Sequence, residues 1–381
     1  MHESFTAQLD LLKSKFRKRT DFAALSDLIQ EMRTLTKAST WESTEFDKGV
    51  LLYGAGAIGA GAFDFFQKHH VTVLGVIDDT PGRAGTKFSG VDILSLSSAL
   101  QIDCPIVISM KLWQEPAARL SDLGRPFEAF SHHIFHTHLN HLKQISEELL
   151  SDDRSRLVYG TILKANILAD FSFYRDVFEG DQYWSPADFQ YLADPHAVLI
   201  DAGAYVGDTS EEFVWRTRGI FKQIHAFEPD PKRFHALETR VNRLTEEWAL
   251  DDNAIKCVRA GLGDQEAEFP FFTHASGADG SFLFSHGQPQ GTLQIRKLDD
   301  YLAGAPVTFI KADIEGYEIP LIRGACESIR KYRPKLALCI YHRMTDVIEI
   351  PLLLKTLVPE YQMAVRHHSL GQDESVLYCW I

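Results

Sequence analysis

Cysteine is scarce and unpatterned. Cys104, Cys257, Cys326, Cys339 and Cys379 are five in number, widely scattered, and form no C-x-x-C spacing. That argues against a disulfide framework and for reduced thiols packed as small hydrophobes in a cytoplasmic protein. No uninterrupted apolar run reaches membrane-spanning length, and the amino-terminal MHESFTAQLDLLKSKFRKRT lacks the apolar core of a secretory signal. Basic residues are outnumbered, 39 Lys and Arg against 52 Asp and Glu, for a net charge of −13. A nucleic-acid backbone needs a basic face, so DNA and RNA are excluded as natural partners. Low-complexity tracts are absent as well, and 381 residues at 45% apolar suffice for two domains with buried cores. What remains is a soluble cytoplasmic protein that acts on a small molecule or a neutral glycan.

The stretch from Ala197 to Lys232, AVLIDAGAYVGDTSEEFVWRTRGIFKQIHAFEPDPK, organises the rest. Val198 to Ile200 is a short apolar strand closing on Asp201. A turn from Gly203 to Gly207 follows, then helix-forming residues, then a strand from Ile224 to Phe227 that delivers Glu228 ahead of Pro229. Strand, turn, helix and strand in that order place a ligand at the carboxyl ends of parallel strands. The glycines let the backbone approach that ligand, and a carboxylate at the second strand end accepts from both ribose hydroxyls. The turn lacks full G-x-G-x-x-G spacing, and Asp201 and Asp208 repel phosphates. An uncharged or cationic nucleoside therefore suits it, and the sulfonium of S-adenosylmethionine qualifies.

DAGAYVGD from Asp201 to Asp208, AFEPD from Ala226 to Asp230, LDDYL from Leu298 to Leu302, KADIEGYE from Lys311 to Glu318 and Arg333-Pro334 resemble, in order and spacing, the FkbM family of S-adenosylmethionine-dependent methyltransferases. The resemblance covers about residues 196 to 381. It implies a class I methyltransferase domain, an α/β Rossmann-like sheet that is mostly parallel with an antiparallel carboxyl-terminal strand. It also implies S-adenosylmethionine lying across Asp201, Gly203, Ala204, Tyr205, Gly207, Glu228 and Pro229, with Asp313 beneath the methionine end. Gly261, Leu262 and Asp264 are read as a turn after the third strand, Ala254 to Ala260, closing over the adenine. The family often has asparagine where Tyr205 stands, and an acidic residue where Tyr341 and His342 stand.

The fourth strand, Val307 to Ile310, hands over Lys311, Asp313 and Glu315. Methyl transfer aligns an acceptor atom with the methyl group and removes a proton. These three ionisable groups can do that, or Asp313 and Glu315 can hold a divalent cation, or Glu315 and Lys311 form a structural ion pair. His342 ends the fifth strand, Lys335 to Tyr341, and is the candidate general base. Glu266 to Phe272 reads as a hairpin strand, residues 273–291 as a lid, and Tyr361 to His367 with Ser375 to Ile381 as the closing pair.

Upstream, residues 1–45 carry helical apolar spacing at Phe5, Leu9, Leu12 and Phe16, expected to pack on the protein itself. Residues 46–130 form a smaller Rossmann-like α/β domain, in which Gly54, Gly56 and Gly59 with Asp78 match a dinucleotide fingerprint. That turn binds a nucleotide-sugar or serves as scaffold. Residues 131–194 read as a helical connector before the methyltransferase domain, 195–381. Within it SHHIFHTHLNH concentrates five histidines, read as exposed rather than metal-binding. The aromatics Phe171, Phe173, Tyr174, Phe178, Tyr183, Trp184, Phe189 and Tyr191 are mostly core, and some of them are candidate liners of an acceptor pocket, with Trp184 the one whose removal tests it. The leading expectation is O-methylation of a sugar, glycan or secondary-metabolite hydroxyl. The rivals are an NAD(P)-dependent oxidoreductase using Gly54 to Gly59 and a non-catalytic nucleotide-sugar-binding scaffold.

Overall fold

A computed structural model describes residues 4–41, 43–190, 193–271 and 291–381. They divide into two units. One comprises Met1–Ser146, Arg156–Val177 and Arg343–Thr345, the other Glu147–Ser155, Phe178–His342 and Asp346–Ile381. The stretch expected to be a connector, 131–194, is thus shared between the units. No described helix is long and apolar enough to cross a membrane.

In the first unit, helices Phe5–Phe16 and Phe22–Leu35 start where Ser4 and Asp21 accept from the backbone N–H groups of Ala7 and Ala24. The apolar stripe Phe5, Leu9 and Phe16 is buried, with Phe5 edge-on to Trp113 and Phe127 of the same unit. Six strands follow: β1 (Val50–Tyr53), β2 (Val73–Ile77), β3 (Lys87–Phe88), β4 (Val91–Leu94), β5 (Ile106–Ile108) and β6 (Glu128–Ala129). Their order is β3-β4-β2-β1-β5-β6, parallel except for β3. Arg33 and Glu128 form a buried ion pair at 2.6 Å, with His133 3.1 Å from the same carboxylate.

Two expectations for this unit change. His132 is fully buried rather than exposed, its Nε2 2.7 Å from the Ile167 carbonyl and its ring edge-on to Trp113. A histidine on the inner face of an amphipathic helix packs as a core residue when one ring nitrogen finds a backbone partner, here Nε2 and not Nδ1, and burial pulls its pKa down. Among the described residues, no group spaced to hold a metal includes any histidine of the 132–141 cluster. The fingerprint acid is also engaged: Asp78 accepts from the N–H groups of Ala55 and Thr80 and pairs with Arg83 at 3.1 Å.

The second unit holds β7 (Val198–Ala202), β8 (Gln223–Phe227), β9 (Ile255–Val258), β10 (Gly261–Gly263), β11 (Ala267–Phe271), β12 (Gly291–Lys297), β13 (Phe309–Ala312), β14 (Lys335–Cys339), β15 (Gln362–His367) and β16 (Ser375–Trp380). Seven of them form a sheet ordered β15-β16-β14-β13-β7-β8-β9. It is parallel except that β16 opposes both neighbours, which is the Rossmann-like methyltransferase arrangement. The chain order reverses between β7 and β13, and a ligand crevice opens at the carboxyl ends there.

Both central strands run past the expected ends at Ile200 and Ile310. The register pairs Lys311 directly with Asp201, and their side chains meet at 3.2 Å with almost no exposure. Each charge looks like a strand terminus in the sequence, yet together they are tolerated inside the sheet. Lys311 consequently does not pair with Glu315. The expected turn at Gly261 to Gly263 is instead β10, which pairs parallel with β12, while β11 pairs antiparallel with β12. The proposed lid falls outside the described residues except for Gly291, the first residue of β12. Trp184 is fully buried against Phe213 and Phe309, a core residue and not a pocket liner. Tyr191 lies outside the described residues.

Removing one member of a buried pair strands the other charge, at a cost of about 3–5 kcal/mol. Lys311→Met is expected to lose that much in denaturant unfolding. The double variant Asp201→Asn/Lys311→Met should lose clearly less than the sum of the two single changes; strict additivity would show that the pair is not coupled.

Candidate active site

The cavity at the carboxyl ends of β7, β8 and β13 has a volume of about 390 Å³, within the range of roughly 300–1,000 Å³ usual for small-molecule and cofactor sites. Its base is the turn after β7. Gly203 has φ +75°, and a Cβ there would lie 1.9 Å from the Asp313 carbonyl oxygen, so any side chain would push the two strand ends apart. Gly207, at φ +85°, opens the helix Asp208–Thr217 from beneath the turn. Ala204 is buried, its N–H donating to the Phe227 carbonyl. Tyr205 occupies the left-handed region at φ 51°, is half exposed, and lies under the Arg233 guanidinium at 5.1 Å. Gly203, Tyr205, Asp208 and Arg233 all line the cavity.

Glu228 stands at the end of β8, almost fully buried, and also lines the cavity. Its two oxygens accept from the N–H groups of Tyr205 at 3.0 Å and Asp230 at 2.8 Å, which ties the second strand end to the first turn. Burial pushes its pKa up to about 7, although those N–H groups and Arg233 pull the other way. Next to it Pro229, Gly261 and Leu262 join Phe269, Leu293 and Ile295 in an apolar wall. Asp264 is exposed and not part of the lining. Asp201 is absent from the lining too: it sits behind the turn, bound to Lys311 and accepting from Ser210 Oγ. Lys311 lines the cavity and donates to the carbonyls of Gly203 and Ala202 at 2.8 and 3.3 Å. Burial opposes its charge, but the carboxylates of Asp201 and Asp313 hold its pKa above the usual lysine value.

Beyond β13, Asp313 gathers the remaining groups. Its Oδ2 accepts from Tyr183 at 2.9 Å and its Oδ1 from Tyr341 at 3.1 Å, with His342 Nε2 at 3.3 Å. Burial alone would raise its pKa; His342, Lys311 and the Tyr183 hydroxyl hold it well below the ordinary carboxylate range. His342 is itself enclosed, its Nδ1 3.0 Å from the fully buried Glu318 and its Nε2 3.8 Å from Glu315. Those carboxylates overcome desolvation and push its pKa well above that of a free imidazole. Both ring nitrogens thus face carboxylates, which disfavours the expected role of a free base, and His342 does not line the cavity. Glu315 does, in the left-handed region at φ 56°, with its pKa raised by burial.

Residues 201–361 match the family model described as the methyltransferase FkbM domain. The chain carries a methyltransferase FkbM domain. That domain is thereby of the S-adenosylmethionine-dependent methyltransferase kind, and the blocks around Asp201, Glu228 and Asp313 lie within the matched residues. Among solved structures, the methyltransferase FkbM from Methylobacillus flagellatus KT is 19% identical, with 94% of this chain and 100% of that chain covered at a TM-score of 0.57, which shows a shared fold. An rRNA methylase from Streptococcus thermophilus (12% identical; 49% of this chain and 88% of that chain covered; TM-score 0.30) and a SAM-dependent methyltransferase from Aquifex aeolicus (13%; 50% and 84%; TM-score 0.29) overlap more loosely. No curated protein matches the chain by sequence.

Arg233, Gln182 and Glu374 line the cavity without having been singled out in the sequence, whereas Tyr183, one of the aromatics offered as liners, does line it. Tyr183 neighbours Trp184, the aromatic singled out, and which of the two faced inward was set by tertiary packing. Glu374 lies between the last two strands, outside every FkbM-like block.

The raised pKa of Glu228 makes a signed prediction for the ligand-free protein. Between pH 4.5 and about 7 the folded state holds a proton that the unfolded state has released, so stability falls as pH rises through that window and levels off above it. Glu228→Gln removes this residue's share of the dependence. The stability difference between variant and wild type should move in the variant's favour by about 3 kcal/mol from pH 4.5 to pH 8, read from urea midpoints; a constant difference would place the Glu228 pKa near its ordinary value.

Proposed function

We propose that this domain O-methylates a hydroxyl of a sugar, glycan or secondary metabolite, with S-adenosylmethionine bound across the turn after β7. The carrying observation is that one cavity combines Glu228 at one strand end with the Asp313, Tyr183 and Tyr341 cluster at the other. The lining fits the donor group. A carboxylate at Glu228 suits ribose hydroxyls, the apolar wall of Leu262, Leu293 and Ile295 suits a heteroaromatic ring, and Gly203, packed against the Asp313 carbonyl, keeps the two strand ends together beneath them. Five lining carboxylates, Asp208, Glu228, Asp313, Glu315 and Glu374, against Arg233 and Lys311 favour a cation over a phosphate.

When bound, the donor supplies an electrophilic methyl group on sulfur. The protein's part is orientation and proton removal. Asp313, fixed by two tyrosine hydroxyls and His342, holds negative charge near the reacting groups. Tyr183 and Tyr341 shape the acceptor side, where polar groups and aromatic faces together suit a polyol. This reading needs no divalent cation at Asp313 and Glu315, because both Asp313 oxygens already accept hydrogen bonds.

Calorimetric titration of the full chain with S-adenosylmethionine, S-adenosylhomocysteine, NAD and NADP is the direct test. The first two should bind and lose at least 100-fold in affinity in Glu228→Ala. Binding of NAD or NADP alone would move the site to the Gly54 turn and overturn the proposal. With methyl-labelled donor and the methyl glycosides of glucose, galactose and mannose as acceptor probes, label should appear in an alkali-stable methyl ether, undiminished after dialysis against a chelator. Label found only on nitrogen or carbon acceptors would reject O-methylation.

A further inference from the structure

Methyl transfer to a hydroxyl needs somewhere for the proton to go, and the residues expected to take it are engaged. His342 has its two ring nitrogens facing Asp313 and Glu318 at 3.3 and 3.0 Å, and it does not line the cavity. Asp313 accepts from two tyrosine hydroxyls. Glu228 is tied to the Tyr205 and Asp230 N–H groups on the β8 side. Glu315 is 3.8 Å from His342 Nε2, and its side chain is 43% exposed.

Resting on the methyl-transfer reading above, we propose that Glu374 is the catalytic residue that receives the acceptor proton, oriented by Gln182. Glu374 lies in the turn between β15 and β16, lines the same cavity, and accepts a hydrogen bond from the Gln182 amide, itself a liner. One of its oxygens is within 4.8 Å of an Asp313 oxygen and of Cys339 Sγ, which puts it beside the anchored carboxylate. Its φ is +70°, a conformation that costs a non-glycine residue energy and that is concentrated at functional sites.

The groups facing it are Asp313 beyond β13, Cys339 in β14, Tyr341 and His342 after it, Tyr183 and Gln182 from the preceding segment, and Asp373 in its own turn. Burial first, then the Asp313 charge, push its pKa up to about 7. Two neighbouring carboxyls with pKa values driven apart mark a division of labour: Asp313 remains an anion, and Glu374 gains and loses a proton near neutrality. In the step itself, a lone pair on the acceptor oxygen forms the new bond to the methyl carbon. The carbon–sulfur bond breaks with its electrons returning to sulfur, and the hydroxyl proton passes to Glu374. The products are a methyl ether, a thioether and a neutral glutamic acid that returns its proton to solvent.

Glutamate side-chain carboxyls labelled with carbon-13 can be titrated by NMR in the full chain. Two should titrate near neutrality, one vanishing in Glu374→Gln and the other in Glu228→Gln. With whichever glycoside accepts the methyl group, Glu374→Gln should lower kcat at least 100-fold, leave S-adenosylhomocysteine affinity within twofold, and flatten the limb of the pH–rate profile near pH 7. Glu374→Asp should recover part of the rate. A Glu374→Gln variant that keeps its kcat, or that removes no neutral titration, overturns the proposal. Failure of the wild type to bind S-adenosylhomocysteine would instead remove the underlying reaction, and the assignment with it, whatever the titration shows.

Discussion

The second unit depends on one ion pair. Asp201 and Lys311 face each other across β7 and β13 with almost no exposure. They hold the two strand ends together where the crevice begins, and the lysine also grips the Gly203 carbonyl. With the strand ends so fixed, Gly203 rests against the Asp313 backbone at a distance that only glycine permits. A charge pair, a bare α-carbon and the aim of the Asp313 side chain are consequences of one register. Such a pair adds little net stability compared with a well-packed apolar pair. Its value here is geometric, since it selects one alignment of the strands over its neighbours.

Charge is partitioned on that frame. Asp313 is surrounded by donors and cations, so its negative charge is permanent. Glu228 and Glu374, buried with less compensation, sit near the point where they are half protonated. A cavity with several carboxyls can thus avoid accumulating several full charges when no cation is present. A bound cation reverses the balance and draws the marginal groups into their ionised form, so donor binding and proton release are coupled by the same electrostatics.

The strand-turn-helix-strand unit was legible because its signals are local: an apolar run, glycines where the chain must turn, and an acid at the end of the next strand. The antiparallel β16 was expected from the resemblance to the methyltransferase family, and the order of the strands, which depends on contacts between distant segments, was not read from the sequence. Harder to read was the meaning of a charge inside an apolar run. Lys311 and Asp201 resemble termini singly, and only the register between strands more than 100 residues apart shows that they neutralise each other. His342 illustrates the same limit. A histidine at a strand end reads as a base, yet Glu318 and Asp313 on separate elements decide its protonation. Tyr183 and Trp184 read alike as aromatics, yet one lines the cavity and the other is buried in the core, because adjacent residues face different ways and composition does not record which.

The Gly54 turn of the first unit shows what a fingerprint leaves unsaid. The acid that would meet a ribose is already bound, by the Ala55 and Thr80 N–H groups and by Arg83, whose guanidinium also reaches the Ala55 carbonyl. The loop is its own ligand. Binding a nucleotide there is consequently an exchange rather than an addition: an ion pair and its hydrogen bonds must open before a sugar hydroxyl can take their place. A neutral ribose brings no charge to satisfy the arginine that it displaces, whereas an anion brings its own. A glycine spacing that is faithful to the motif thus coexists with an acid that already has its partners.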